Sequence, residues 1–131
     1  MKKITKEWLK AAQDDLSVID RIIHDEGLTH IVAFHAQQCV EKCFKGIIEE
    51  HLLGFQKLHN LLRLYGIISK KVIIEIDEQF LEELDLLYIS ARYPGELGLL
   101  PSGKPTTEDA RKFYELATDI FEKTKLLLSR T

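Results

Sequence analysis

Residues 29–53 read THIVAFHAQQCVEKCFKGIIEEHLL, and this stretch decides the fold. Val32, Ala33, Ala36, Val40, Cys43, Phe44 and Ile47 recur at steps of three and four, which gathers them on one broad arc of an α-helix. The spacing predicts a helix from Thr29 to Leu53 that stops near Gly54, a residue that tolerates the left-handed turn closing many helices. Upstream, Trp8, Ala12, Leu16, Ile19 and Ile23 share the same period and predict a helix from Thr5 to Asp25, with Thr5 as its cap and Gly27 at its end.

Downstream, a short helix is expected over Leu58 to Tyr65, ended by Gly66. Residues Ile67 to Ile76 mix β-branched side chains with lysines and read as loop, strand or frayed helix, with no sheet because a single strand has no partner. Phe80, Leu84, Leu87, Tyr88 and Ala91 mark a helix from Asp77 to Arg92, closed because Pro94 disfavours helical geometry at Tyr93. Ala110, Phe113, Tyr114, Ala117, Ile120, Phe121 and Leu128 mark the last, from Thr107 to Ser129. All three prolines fall between Pro94 and Pro105, which makes that segment one long connection. The expectation is an all-α, antiparallel up-and-down bundle of four long helices and one short helix, forming a single domain over 1–131.

Composition agrees. A chain of 131 residues, 45% hydrophobic and 30% charged, suits one compact domain. Eighteen Lys and Arg against 21 Asp and Glu give a net charge of -3, so the global basic excess of a protein built to grip backbone phosphates is missing, although a local basic patch is compatible with it. Two cysteines make no disulfide framework, and the N-terminal MKKITKEWLK has no apolar core like a secretory signal, so a cytoplasmic location is expected. No stretch reaches the roughly 18 apolar residues of a membrane span.

Several polar residues stand where apolar ones are expected. Asp15 falls inside the apolar arc of the first helix, between Ile22 and Ile19, and burying it unpaired would cost several kcal/mol. A cationic or hydrogen-bonding partner from another helix is therefore expected, either to fix helix register or to serve a site. His35, Gln38, Lys42, Lys45 and Glu49 form a polar stripe beside the apolar arc of the second helix. Two lysines and an imidazole at one-turn steps offer donors to phosphate oxygens, and Gln38 can hydrogen-bond a base or ribose; the alternative is a solvated face laced by Lys45 and Glu49. Gln37 points toward the arc and is expected to bond across the bundle. On the fourth helix Asp85, Tyr88 and Arg92 make a polar seam, with Tyr93 just beyond; Arg92 either complements the helix dipole or contacts a ligand or RNA.

Other chemistries lack their residues. Cys39 and Cys43 stand one turn apart with His35 a turn earlier, but both sulfurs fall in or beside the core arc and read as small buried hydrophobes, so no metal site is expected. CxxC, HExxH and Glu-x-x-His are all absent. GLLPSGKP, residues 98–105, approaches a phosphate loop but places proline where the magnesium-binding hydroxyl belongs. Thr106 and Thr107 at a helix start leave backbone N–H groups that can meet an anion. No cofactor is implied.

Taken together, WLKAAQDDL, FHAQQCVEKCFKGII, KLHNL, LDLLYISARYPG and TTEDARKFYELA resemble the HEPN family, named for higher eukaryotes and prokaryotes nucleotide-binding. The resemblance spans nearly the whole chain. It implies a helical bundle that often self-associates, commonly partnered with a small nucleotidyltransferase in prokaryotic toxin–antitoxin systems. Phe34 and Leu52 lie just outside the main arc of the second helix, near the polar stripe, and with the apolar surface of Ile67 to Ile76 they lead one to expect a homodimer. The family pattern falls on Asp15, His35, Gln37, Gln38, Glu41, Lys42, Lys45, His59, Asp85, Tyr88, Arg92 and Tyr93. Members with an Arg-x4-6-His motif are metal-independent ribonucleases, and no arginine here is followed by histidine at that spacing.

Three functions follow as expectations. The first is a module that binds nucleotide or RNA with His35, Gln38, Lys42, Lys45, Arg92 and Tyr93 and works with a nucleotidyltransferase. In the second, an RNA endonuclease uses His35 or His59 as general acid or base while Arg92 stabilises the phosphorane. The third is a dimerising adaptor in which Asp15, Tyr88 and Arg92 lock the bundle and the surface binds only protein; Gln37 and Asp85, with Asp15 and Tyr88, are expected as structural polar residues.

Overall fold

In the computed structural model, residues 1–92 and 104–130 are described, the side chains of 89–92 excepted. Five α-helices follow one another among the described residues: α1 (Lys3–Ile22), α2 (Thr29–Glu50), α3 (Leu61–Ile68), α4 (Glu78–Arg92) and α5 (Thr107–Ser129), with a single 3-10 turn at Glu26–Leu28. No strand occurs among them, so no sheet forms, as expected, and of the readings left open for Ile67 to Ile76 the strand is not adopted: the run finishes α3 at Ile68 and continues without regular structure from Val72. None of these helices is long and apolar enough to cross a membrane.

The helix read first is the central rod. α2 packs against α1, α5, α4 and α3, and thirteen of its 22 residues are buried, so its apolar arc is wrapped from several sides. Leu9, Ala12, Leu16 and Ile19 of α1 close one side of the core, Phe80, Leu81, Leu84 and Leu87 of α4 another, and Ala110, Phe113, Ala117, Ile120 and Phe121 of α5 a third. At Gly46 the axes of α1 and α2 come close: a Cβ added there would lie 3.5 Å from the Cβ of Trp8.

Helix boundaries differ from the sequence reading wherever a cap arrives from another element. α1 starts at Lys3, not at Thr5, because the carboxylate of Glu50 on α2 accepts the Lys2 backbone N–H and the Thr5 hydroxyl, each at 2.9 Å. Those two bonds hold the Glu50 carboxyl below its ordinary pKa, the Lys2 N–H being the larger influence. α1 also stops earlier, at Ile22, and Asp25 then accepts the Gly27 N–H to open the 3-10 turn. α3 begins at Leu61 and runs through Gly66 to Ile68, with Asn60 accepting the Arg63 N–H at 2.9 Å. α5 has the predicted span, opened by a reciprocal capping box between Thr106 and Asp109. That box occupies the Thr106 and Asp109 N–H groups, and Lys104 donates to the Gly27 carbonyl at 3.3 Å.

α2 ends at Glu50 with Leu52, not Gly54, in the first left-handed position, at φ 55°. The Leu53 N–H reaches back to the Ile48 carbonyl at 3.0 Å, the closing bond of a Schellman turn. Glycine is the usual residue there, since a side chain in this conformation costs roughly 1–2 kcal/mol. Beyond α3 the extended segment alternates: Val72 and Ile74 are buried, Ile73 between them is exposed, and the Tyr65 hydroxyl donates to the Ile74 carbonyl at 2.7 Å.

Candidate nucleotide-binding face

The polar residues of α2 are organised by two buried carboxylates. Asp15 of α1 is 5% exposed; its Oδ1 lies 2.9 Å from His35 Nδ1 and its Oδ2 2.8 Å from Lys42 Nζ. The partner from another helix that a carboxylate in the apolar arc demanded is thus supplied twice. Glu41 of α2, also 5% exposed, holds the second group: Lys45 Nζ at 2.8 Å, His59 Nδ1 at 3.1 Å and Gln37 Nε2 at 3.3 Å. Gln37, Glu41 and Lys45 follow at single-turn spacing, which brings their side chains onto one line. Gln37 also donates to the His59 carbonyl at 2.9 Å and accepts from Gln38 Nε2 at 2.8 Å, tying α2 to the chain ahead of α3.

The lysines of the stripe are therefore ion-paired, each to a buried carboxylate, and not arrayed as free cations. Two carboxylates against two ammonium groups leave the cluster balanced before either imidazole is counted. The histidines are positioned by the same anchors. A carboxylate oxygen only accepts, so in each pair Nδ1–H donates and Nε2 is left for another partner.

Between these anchored imidazoles runs a row of rings. Phe34 meets His35 edge to face at 5.3 Å, stacks on Tyr88 of α4 at 5.6 Å with 16° between planes, and Tyr88 lies 6.3 Å from the ring of His59. Phe34, His35 and Tyr88 are half-buried, whereas His59 is exposed. Asp85, one turn before Tyr88, faces α3: both its oxygens accept the Leu61 N–H, at 2.9 and 3.0 Å, and Oδ2 lies 3.4 Å from the Leu62 nitrogen. Burial raises its pKa, the two backbone N–H groups pull the other way, and Glu41 adds to the rise.

Of the residues singled out in the sequence, the structure brings Asp15, His35 and Lys42 into one cluster and Gln37, Gln38, Lys45 and His59 into its neighbour. Tyr88 joins them through its rings, and Asp85 stands to one side as the N-terminal cap of α3. The Arg92 side chain, Tyr93 and the segment 94–103 lie outside the described residues. Cys39 and Cys43 are fully buried; a thiol–thiol hydrogen bond and desolvation raise Cys39 well above an ordinary thiol pKa, and no metal-ligating cluster occurs among the described residues.

Sequence reasoning missed three features. Glu41 is a buried hub; its spacing from Gln37 and Lys45 was the available signal. Phe34 was read only as lying outside the main arc, because its partner Tyr88 is on another helix. A cavity of about 360 Å³, lined by residues that include Trp8, Lys45, Phe55, Lys57 and His59, is assembled from three segments and has no local signature. In its wall Lys45 Nζ lies 5.7 Å from the centroid of the Trp8 ring.

The model of the HEPN domain matches residues 5–127, and the chain belongs to that family. Among solved structures, it is similar to ST0689, an archaeal HEPN homologue, with a TM-score of 0.66 and 22% identity over 95% of this chain and 97% of the other, a likeness of fold. No curated protein matches the sequence significantly.

Proposed function

We propose that this HEPN module binds a nucleotide or a short RNA segment on the face between α2 and α4, self-associates, and acts with a nucleotidyltransferase partner in a toxin–antitoxin-type system. One observation carries the binding reading: the row His35, Phe34, Tyr88, His59, with a carboxylate-anchored imidazole at each end. Aromatic faces take bases by stacking, worth about 1–3 kcal/mol per base, and an Nε2 lone pair fixed by the Nδ1–H anchor accepts from a ribose hydroxyl or a base N–H with little rotamer entropy left to lose. Lys42 and Lys45 serve this face by holding Asp15 and Glu41 in place, while Arg92, one turn beyond Tyr88 in α4, and Tyr93 are its expected additional contacts. Calorimetric titration with ATP, AMP and a short RNA tests the reading: saturable binding that Tyr88→Leu weakens is expected, and absence of heat at millimolar ligand would count against it.

The His59–Glu41 pair favours a second reading. An exposed imidazole oriented by a buried carboxylate has the arrangement of a general acid or base, which metal-independent RNA cleavage requires. RNA cleavage in EDTA, lost in His59→Gln with helicity unchanged, would establish it; uncut RNA under the same conditions leaves binding alone.

A further inference from the structure

We infer that the ligand of the α2–α4 face is a single-stranded RNA of two nucleotides or more, and that the cavity beside that face takes the base of the neighbouring nucleotide, preferring one with an exocyclic amino group. The inference rests on the nucleotide reading of that face and narrows its ligand.

Continuity carries the first step. His59 belongs to both places: its ring lies 6.3 Å from that of Tyr88 at the end of the ring row, and it lines the 360 Å³ cavity together with Trp8 and Phe55. The aromatic surface of Phe34 and Tyr88 therefore does not stop at His59 but leads to two more rings, one from α1 and one from the segment after α2. Single strands are held on successive aromatic side chains. A mononucleotide fills one such position, whereas a strand with one base at Tyr88 passes His59 and brings its next base to the cavity.

The cavity is built for an uncharged, flat group. Trp8, Ile48 and Phe55 give it apolar walls, and its volume, at the small end for ligand pockets, suits one base. Its charges balance: Lys45 is held by Glu41 at 2.8 Å, and Lys57 and Glu49 contribute one charge of each sign. A phosphate or a charged peptide side chain would bring a further charge without a counter-ion.

Glu49 and Gln56 decide between a base and an apolar side chain. Both are half-buried in the wall, and neither side chain has a hydrogen-bond or ion-pair partner among the described residues. An apolar peptide side chain would desolvate both and pair with neither, which is costly, while the edge of a base supplies partners. A carboxylate only accepts, so Glu49 takes an N–H from the amino group of adenine or cytosine; uracil offers a single N–H between two carbonyl oxygens.

Trp8 is the chain's one tryptophan and stands in the cavity wall, so its emission reports occupancy. The probes are AMP and hexanucleotides of oligo(A), oligo(C) and oligo(U). We expect oligo(A) and oligo(C) to quench Trp8 saturably and to bind at least tenfold more tightly than AMP, because two linked subsites act together, and more tightly than oligo(U). Phe55→Ser, at a residue 75% exposed, should leave the melting temperature unchanged yet weaken oligo(A) tenfold or more. Glu49→Gln, whose amide also donates, should narrow the preference over oligo(U). Oligo(A) bound no more tightly than AMP, affinity undiminished by Phe55→Ser, or an unchanged preference in Glu49→Gln overturns the inference. So does a concentration-dependent dimer abolished by Phe55→Ser, which assigns the cavity to a second copy.

His35, at the opposite end of the row from the cavity, reports on the face alone. An AMP-induced shift of its imidazole, with oligo(A) affinity insensitive to Phe55→Ser, sinks this inference and spares the face. No such shift at millimolar AMP, with Trp8 still quenched by oligo(A), sinks the face and the continuity argued from it.

Discussion

Lys42 Nζ lies 2.8 Å from Oδ2 of Asp15, whose other oxygen lies 2.9 Å from His35 Nδ1 two helical turns away, so one buried carboxylate clamps two points of α2 onto α1. Removing one partner of a buried pair leaves the other desolvated without its counter-charge. Lys42→Ala should therefore lower unfolding free energy by about 3 kcal/mol or more in urea titrations, while Asp15→Leu combined with Lys42→Met recovers most of that loss. A double variant no more stable than Lys42→Ala would show that the clamp is not a coupled pair.

Asp85 is the only cap α3 receives from α4 among the described residues. Asp85→Ala leaves the buried Leu61 N–H without its acceptor and should cost about 1–2 kcal/mol. The pH dependence has a definite sign. Because burial raises the folded-state pKa, the folded protein holds the proton more tightly, so this group favours folding below the ordinary aspartate value. That contribution is lost as pH rises through the raised value. Relative to Asp85→Asn, wild-type stability should fall across this window in denaturant titrations at stepped pH; a rise would contradict the assigned cause.

Much of this arrangement was legible in the sequence, for reasons that particular residues make plain. Helical periodicity gave the extent of α5 and the start of α2 because their faces meet a continuous core, but not the end of α2, which a left-handed Leu52 closes at Glu50. Asp15 announced a partner because a carboxylate in an apolar arc has few alternatives. Thr5, by contrast, looked like a cap but is a buried residue bonded to Glu50, since the acceptor comes from 45 residues away. Asp85 was read only as part of a polar seam on its own helix for the same reason: the N–H groups that donate to it belong to another helix. Pairing of Lys42 with Asp15 was hidden in the same way, as helix faces are readable one at a time and their juxtaposition is not, whereas Lys45 with Glu41, four residues apart on α2, was legible from spacing and was passed over for Glu49.

Gly46 stands where α1 and α2 approach, yet a methyl group there meets Trp8 Cβ at an ordinary contact distance of 3.5 Å. Gly46→Ala should gain about 0.5–1 kcal/mol from helix propensity, raising the melting temperature by a few degrees. A lower melting temperature would mean that α1 and α2 are closer than this distance implies.

The Thr106 and Asp109 box opens α5 with reciprocal bonds of 3.0 Å. Thr106→Ala should cost about 1 kcal/mol, seen by thermal melting, and should leave ligand binding on the α2–α4 face unchanged. Lost binding in this variant would place part of the site at the start of α5.

The most direct test of the ring row follows the imidazole nitrogens by NMR during titration with AMP and with a short RNA. His35 and His59 should shift together and saturate, with His24 and His51 unmoved, because only the first two are anchored beside Phe34 and Tyr88. Shifts confined to His24 or His51, or none at millimolar ligand, would contradict the claim that this face binds nucleotides.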